Sequence, residues 1–306
     1  MKKISLFVLT MAMMLVLAAC SLDSGTTKNE SDSSKKDDDS IVIGLSVSTL
    51  NNPFFVTLTD GAKEKAKELG ATLTVVDAQD NASKQASDVE DLIQQKVDLI
   101  LINPVDSSAV ATAVESVNAA GIPVITIDRS SEGGEVVTHI ASDNVAGGVL
   151  AGEYLLELVG EGAKVAELEG VAGSSAARDR GEGFNSAVDG KLNVVAKQTA
   201  NFNRAEGLTV MENILQANPD IVGVFAHNDE MALGALEAIA ATGKDIKVIG
   251  FDATDDAVAA VSAGTLAATV AQKPEEIGTK AVEAAIQYLT GETVEASIPV
   301  ELELVK

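Results

Sequence analysis

The sequence predicts an α/β fold of two doubly wound parallel-sheet domains. Three observations predict it. Apolar, β-branched runs alternate with segments of helical period from residue 41 to the C-terminus, the pattern of parallel strands joined by right-handed crossovers. The runs are near-continuous rather than alternating, as strands covered by helices on both faces require. A chain of 306 residues also suffices for two domains of ~100 to 150 residues, each with its own core.

Taken in order, Ile41 to Val47 is the first strand. The helix from Pro53 to Leu69 has Asn52 as its cap, Pro53 in its first turn and Gly70 as its stop. A strand at 72–77, a helix at 83–96, a strand at 97–102, an Ala/Val-rich helix at 107–120 and a strand at 122–127 follow. A short run from Val136 to Ile140 then leads into the second half. There the predicted helices are 145–158, 175–188, 204–217, 230–241, 255–263 and 274–289. The predicted strands are 164–168, 193–198, 221–226, 247–250, 266–271 and a final one at 297–304.

Residues 1–20 read as a targeting segment, since Lys2 and Lys3 precede an apolar stretch from Ile4 to Leu17 that is short for a membrane span. It ends Leu17-Ala18-Ala19-Cys20 on the only cysteine of the chain, which resembles the lipobox of bacterial lipoproteins. In them the signal is cut before the cysteine, whose thiol takes the lipid. A generic small-residue cleavage site with an incidental cysteine is the alternative. Residues 21–40 are dominated by Ser, Thr, Asp, Asn and Lys and are expected to be a tether. No disulfide framework is possible with one cysteine. With 46 acidic residues against 22 basic ones, the net charge is −24 at pH 7, a balance that repels nucleic acid and anionic lipid headgroups.

Ligands of open α/β sheets sit beyond the carboxyl ends of the strands. Those ends here carry Asn51-Asn52-Pro53-Phe54-Phe55, Asp77, Asn103-Pro104, Asp128-Arg129, Asn201-Phe202, His227-Asn228-Asp229, Phe251-Asp252 and Gln272. Phenyl faces interleaved with amides, carboxylates and guanidinium groups suit a small polyhydroxylated ring. Its C–H faces pack on the phenyl rings and its hydroxyls both donate and accept. For each residue singly an ordinary role stays open: an ion pair for Asp128 and Arg129, a helix cap for Asn52, core packing for each phenylalanine. The four arginines, Arg129, Arg178, Arg180 and Arg204, all fall within one middle stretch, whereas the lysines are dispersed.

Enzymatic constellations are scarce. His139 and His227 have no neighbours at metal-ligand spacing and read as structural residues, so neither metal nor cofactor is expected. No phosphate-cradling loop or nucleophile elbow is matched. Asp255-Asp256 sits at a helix start, where the macrodipole accounts for it. A sugar-responsive repressor would need a helix-turn-helix before the core, where this chain has its apolar stretch and tether.

Several stretches resemble the periplasmic sugar-binding proteins of ABC transporters, from about Ile41 to the C-terminus. They are Ser48-Thr49-Leu50-Asn51-Asn52-Pro53-Phe54-Phe55, Leu101-Ile102-Asn103-Pro104, residues 124–129, residues 139–144, residues 175–184 and residues 228–236. The resemblance implies D-ribose or a related monosaccharide as ligand and an ABC permease as partner, with no catalysis. It places sugar contacts on Asn52, Phe54, Phe55, Asn103, Asp128, Arg129, Arg180, Phe202, Asn228, Asp252 and Gln272, with Phe251 adjoining. It also implies two similar domains, 41–142 plus 273–300 and 143–272 plus 301–306. Three crossings, near residues 142–143, 272–273 and 300–301, would form the hinge between them. A monomer outside the cytoplasm, held to the membrane through a lipid on Cys20, is expected.

Overall fold

In the first half, β1 (Val42–Val47), β2 (Thr72–Asp77), β3 (Leu99–Ile102), β4 (Val124–Ile127) and β5 (Thr138–Ser142) are linked by α1 (Pro53–Glu68), α2 (Ala82–Gln94) and α3 (Ala111–Ala119). The second half carries β6 (Lys164–Glu169), β7 (Asn193–Thr199), β8 (Gly223–Ala226), β9 (Lys247–Asp252) and β10 (Ala268–Ala271). Its helices are α4 (Asn144–Val159), α5 (Ser175–Val188), α6 (Arg204–Ala217), α7 (Asp229–Ala240) and α8 (Asp255–Ser262). α9 (Pro274–Leu289), β11 (Ser297–Val300) and β12 (Glu303–Val305) complete the chain. The computed structural model describes residues 40–306; the predicted targeting segment, Cys20 and nearly all of the tether lie outside the described residues.

The strands form two six-stranded sheets of matching order, β11-β5-β4-β3-β1-β2 and β12-β10-β9-β8-β6-β7. All pairs are parallel except β10 with β12. The predicted single last strand at 297–304 is therefore two. Val300 pairs with Ser142 in one sheet, the chain crosses over at residues 301–302, and Leu304 pairs with Val270 in the other. The apolar run continues through the crossing, so hydropathy alone does not mark the break.

Each sheet is covered on both faces, as the near-continuous strands require. One face of the first sheet packs on α1 and α9, with Phe54, Phe55, Leu58, Ile277 and Val282 in the cluster; the other packs on α2 and α3 through Val89, Leu92, Val114 and Val117. The second sheet is covered likewise by α4 and α5 on one face and α6, α7 and α8 on the other. Every residue of β3 and β4 is buried. Burial of each large aliphatic side chain there contributes about 1.5–3 kcal/mol.

Two other differences from expectation bear on the site. The third helix begins at Ala111 rather than Ser107, because residues 106–110 turn at the interlobe contact: the Ser107 N–H donates to Gly173 O at 2.9 Å. β9 runs on through Phe251 and Asp252, which end that strand rather than follow it.

Candidate functional site

The carboxyl ends of the two sheets face one another across a small, tightly closed-down cavity. Asn52, Phe54 and Phe55 reach it from the start of α1, and Asp128 and Arg129 from the end of β4. The second lobe supplies Ala176 and Arg180 from α5, Phe202 from beyond β7, Asn228 before α7, Asp252 at the end of β9 and Gln272 after β10. A larger open cleft adjoins it on one side, sharing Phe54, Asp252 and Gln272 and rimmed by Glu230, Asp255 and Glu276. The small cavity, not that cleft, is where the convergent polar groups lie.

Local backbone aims these groups. Asp128 (φ 61°), Phe202 (φ 58°) and Asp252 (φ 121°) all hold positive φ at or just beyond strand ends, conformations that side chains other than glycine adopt only when the surroundings impose them. Asn52 and Asn228 cap α1 and α7, accepting from the N–H groups of Phe54 at 2.9 Å and Met231 at 3.0 Å. Both also line the cavity, so the cap and a ligand contact are compatible roles. The Phe202 ring lies against Gly170, where an added Cβ would overlap it.

The electrostatics are those of two opposed ion pairs. Asp128 Oδ2 accepts from Asn103 Nδ2 at 3.2 Å and lies 3.6 Å from Arg129 Nε. Arg180 donates to Asn144 Oδ1 at 2.8 Å and to the His227 carbonyl at 2.7 Å, and stands 3.8 Å from Asp252 Oδ1. Asp252 also accepts from Gln272 Nε2 at 2.9 Å. Burial lowers the pKa of both guanidinium groups, opposed by Asp128 at Arg129 and by Asp252 at Arg180. Burial pushes the Asp252 carboxyl well above the usual carboxylate range, with Arg180 pulling it back.

Three buried polar atoms of the wall, Asp128 Oδ1, Arg129 Nε and Gln272 Oε1, have no hydrogen-bond partner among the described residues. An acceptor, a donor and a second acceptor thus remain to be met by whatever enters, since an unpaired buried polar group costs about 1–3 kcal/mol. The Arg129 guanidinium stacks 5.1 Å from the Phe55 ring centre, and Arg180 lies 3.9 Å from that of Phe251.

Ten of the twelve expected contact residues come together on this wall. Asn103 does not: fully buried, it spends its amide on Asp128, on the Ile127 carbonyl and on the Ser48 N–H, and so holds Asp128 from behind. Phe251 likewise stands behind Arg180. Of the clustered arginines, Arg178 pairs with Glu132 at 2.7 Å and Arg204 with Glu230 at 2.7 Å and Asp256 at 2.9 Å, away from the cavity wall. Both histidines are structural: His139 Nδ1 bonds Thr126 Oγ1 and His227 Nε2 bonds the buried Glu167, each at 2.9 Å. Sequence reasoning missed Ala176, whose small apolar side chain carries no polar signal, and Glu167, hidden in an apolar strand. Among the described residues no cluster of three His, Cys, Asp or Glu could hold a metal ion.

The lobes also touch directly. The Ser175 N–H donates to Ser107 Oγ at 3.2 Å, the Ser130 N–H donates to Ser175 Oγ at 3.0 Å, and Arg178 reaches across to Glu132.

Two parallel-sheet lobes closed over a polar cavity at their strand ends define a solute-binding protein. The model of the periplasmic binding protein domain matches residues 43–293, and the chain belongs to that family, with its type I fold. It is 58% identical over 304 residues to the ribose import binding protein RbsB of Bacillus subtilis (strain 168), with 99% of each chain covered. An ABC transporter solute binding protein from Mycobacterium smegmatis with bound glycerol shares the fold at a TM-score of 0.84 and 38% identity, covering 87% of this chain and 94% of that one. An ABC transporter periplasmic solute binding protein from Actinobacillus succinogenes 130z with bound D-allose gives 0.81 and 32%, covering 87% and 97%.

Proposed function

We propose that this protein is the extracytoplasmic binding component of an ABC importer, that it captures D-ribose between its lobes, and that it delivers the sugar to a membrane permease without chemical conversion. The carrying observation is the cavity wall itself. Two guanidinium groups, two carboxylates, three amides and three phenyl rings converge on one small space between the lobes, and three of their polar atoms remain unpaired. Near-equal numbers of buried cations and anions suit a neutral ligand, and the mix of donors and acceptors suits hydroxyls. The 58% identity to a ribose import protein points to the same sugar.

The lobes are assigned as residues 41–142 plus 273–300 and residues 143–272 plus 301–306, the sugar being held by the wall residues of both. Cys20 is read as the site of lipid attachment that holds a monomer to the membrane by its tether. A second reading, the same class with another monosaccharide, is favoured by the D-allose held by a relative of the same fold. Isothermal calorimetry with D-ribose, D-allose, other pentoses and a furanose separates the two. D-Ribose is expected to bind tightest; tighter binding of any other sugar replaces ribose, and silence across the panel removes the sugar reading.

A further inference from the structure

Asp229 is fully buried, yet it takes no part in the cavity wall. It is the first residue of α7, directly after Asn228. Its Oδ2 accepts from the Thr254 N–H at 2.8 Å and from Thr254 Oγ1 at 3.2 Å, and its Oδ1 accepts from Thr269 Oγ1 at 2.7 Å. Thr269 Oγ1 in turn accepts from the Ala253 N–H at 3.1 Å. The two peptide N–H groups that follow Asp252 are therefore tied to a single carboxylate, one directly and one through a hydroxyl. Gly250 on β9 leaves room for it, since a Cβ there would overlap Asp229 Oδ1.

The anchoring falls on backbone that needs it. Asp252 holds φ 121° and Ala253 φ 55°, two consecutive residues in a region that persists only when its surroundings over-determine it. The Asp252 carboxylate itself accepts from Gln272 and faces Arg180 across 3.8 Å. A carboxylate without exposure is costly to retain, and burial pushes that of Asp229 up to about 7 against its bonds to Thr269 and Thr254.

The geometry points to Asp229 as a positioning residue for the ligand site: through Thr254 and Thr269 it holds the β9–α8 turn so that the Asp252 carboxylate faces the cavity. This rests on the proposed sugar site and adds to it a residue that does not touch the sugar. Asp229 also adjoins Asn228 of the wall, whereas Thr269 and Thr254 touch only the turn that follows Asp252, so the threonine variants read the effect that passes through Asp252.

The test uses the full chain. Thr269→Val removes the relaying hydroxyl at nearly constant shape, Thr269→Ser keeps it, and Asp229→Asn alters the anchor itself. Each is made in the wild-type and Asp252→Asn backgrounds, and D-ribose affinity is measured by calorimetry. Amide hydrogen exchange at Ala253 and Thr254 is followed without sugar. Thr269→Val and Asp229→Asn are expected to weaken binding about tenfold or more in the wild-type background but less than about twofold in Asp252→Asn, the non-additivity of groups acting in series. Thr269→Ser is expected to bind like wild type, and the Ala253 amide to exchange about tenfold faster in Thr269→Val alone of the two threonine variants. Equal losses in both backgrounds, or a serine variant as weak as the valine one, overturn the assignment. If wild type itself gives no heat with D-ribose, only the ribose reading falls. The exchange measurement then decides alone: protection lost in Thr269→Val and kept in Thr269→Ser supports the anchor, and unchanged protection overturns it. Should Asp229→Asn fail to fold, the two threonine variants carry the comparison.

Discussion

The guanidinium of Arg129 stands 5.2 Å from the ring centre of Phe202, and the two residues belong to different lobes. Arg129 follows β4 of the first sheet, whereas Phe202 follows β7 of the second. The cation and the ring that it faces meet only when the lobes are together, at the wall where the sugar is proposed to bind. Cation–π contacts of this kind contribute about 0.5–2 kcal/mol depending on desolvation. Closure and binding thereby share one set of residues.

A ligand that touches both lobes favours the closed state by its differential affinity for it. Small-angle scattering is expected to give a smaller radius of gyration with saturating D-ribose than without. Arg180→Ala should weaken both binding and compaction. An unchanged scattering curve, with binding verified separately, means the lobes do not clamp the sugar.

Asp128 offers one carboxylate oxygen, Oδ1, without a partner among the described residues, while Asn103 holds the other. Asp128→Ala removes the acceptor and leaves the Asn103 amide and Arg129 Nε less satisfied. It is expected to cost about 2–4 kcal/mol of sugar binding with the fold intact. Wild-type affinity in a folded Asp128→Ala protein would take Asp128 out of the site.

Gly170 supports the Phe202 ring by having no side chain. Gly170→Ala should drive the ring toward the cavity and weaken D-ribose binding by about tenfold, or ~1.4 kcal/mol. Titration calorimetry beside a melting curve distinguishes this from a general loss of fold, which would lower Tm in proportion.

Burial holds the His227 imidazole below its ordinary value of 6.5, despite the bond to Glu167 that pulls it up. A depressed folded-state pKa contributes stability that is present above the unfolded value and lost as pH falls below it, because the unfolded chain takes the proton first. The stability margin of wild type over His227→Gln in urea denaturation is therefore expected to be constant above about pH 7.5 and to shrink between pH 6.5 and 5.5. A margin that does not change with pH would mean His227 binds its proton equally in both states.

For the proposed anchor, Cys20→Ser should move the protein from the membrane fraction to the soluble one and abolish partition into detergent. Continued membrane retention would assign attachment to something other than a lipid on Cys20.

Much of this was determined by the sequence itself, because it depends on local pattern. The alternation of apolar runs and helical segments encodes parallel sheets, and three helices, 175–188, 204–217 and 274–289, begin and end where their predicted bounds lie. Strand ends are legible for the same reason, so the polar and aromatic residues placed there could be named before any contact was known. What only the tertiary structure decided depends on residues distant in the chain. Hydropathy does not distinguish a strand that stays in one sheet from one that crosses to another, so the break after Val300 emerges from pairing with Ser142 and Val270. Asn103 and Asn52 are the same side chain after similar strands. One is consumed by Asp128 and Ser48 while the other faces the cavity, because within the same lobe the loops after β1 and β3 meet different neighbours. The four arginines look alike in sequence, yet two are drawn into the cavity by Asp128 and Asp252 and two are taken by Glu132, Glu230 and Asp256. Partner choice among charges is a matter of distance, and distance between loops is set only when both sheets are folded and facing each other.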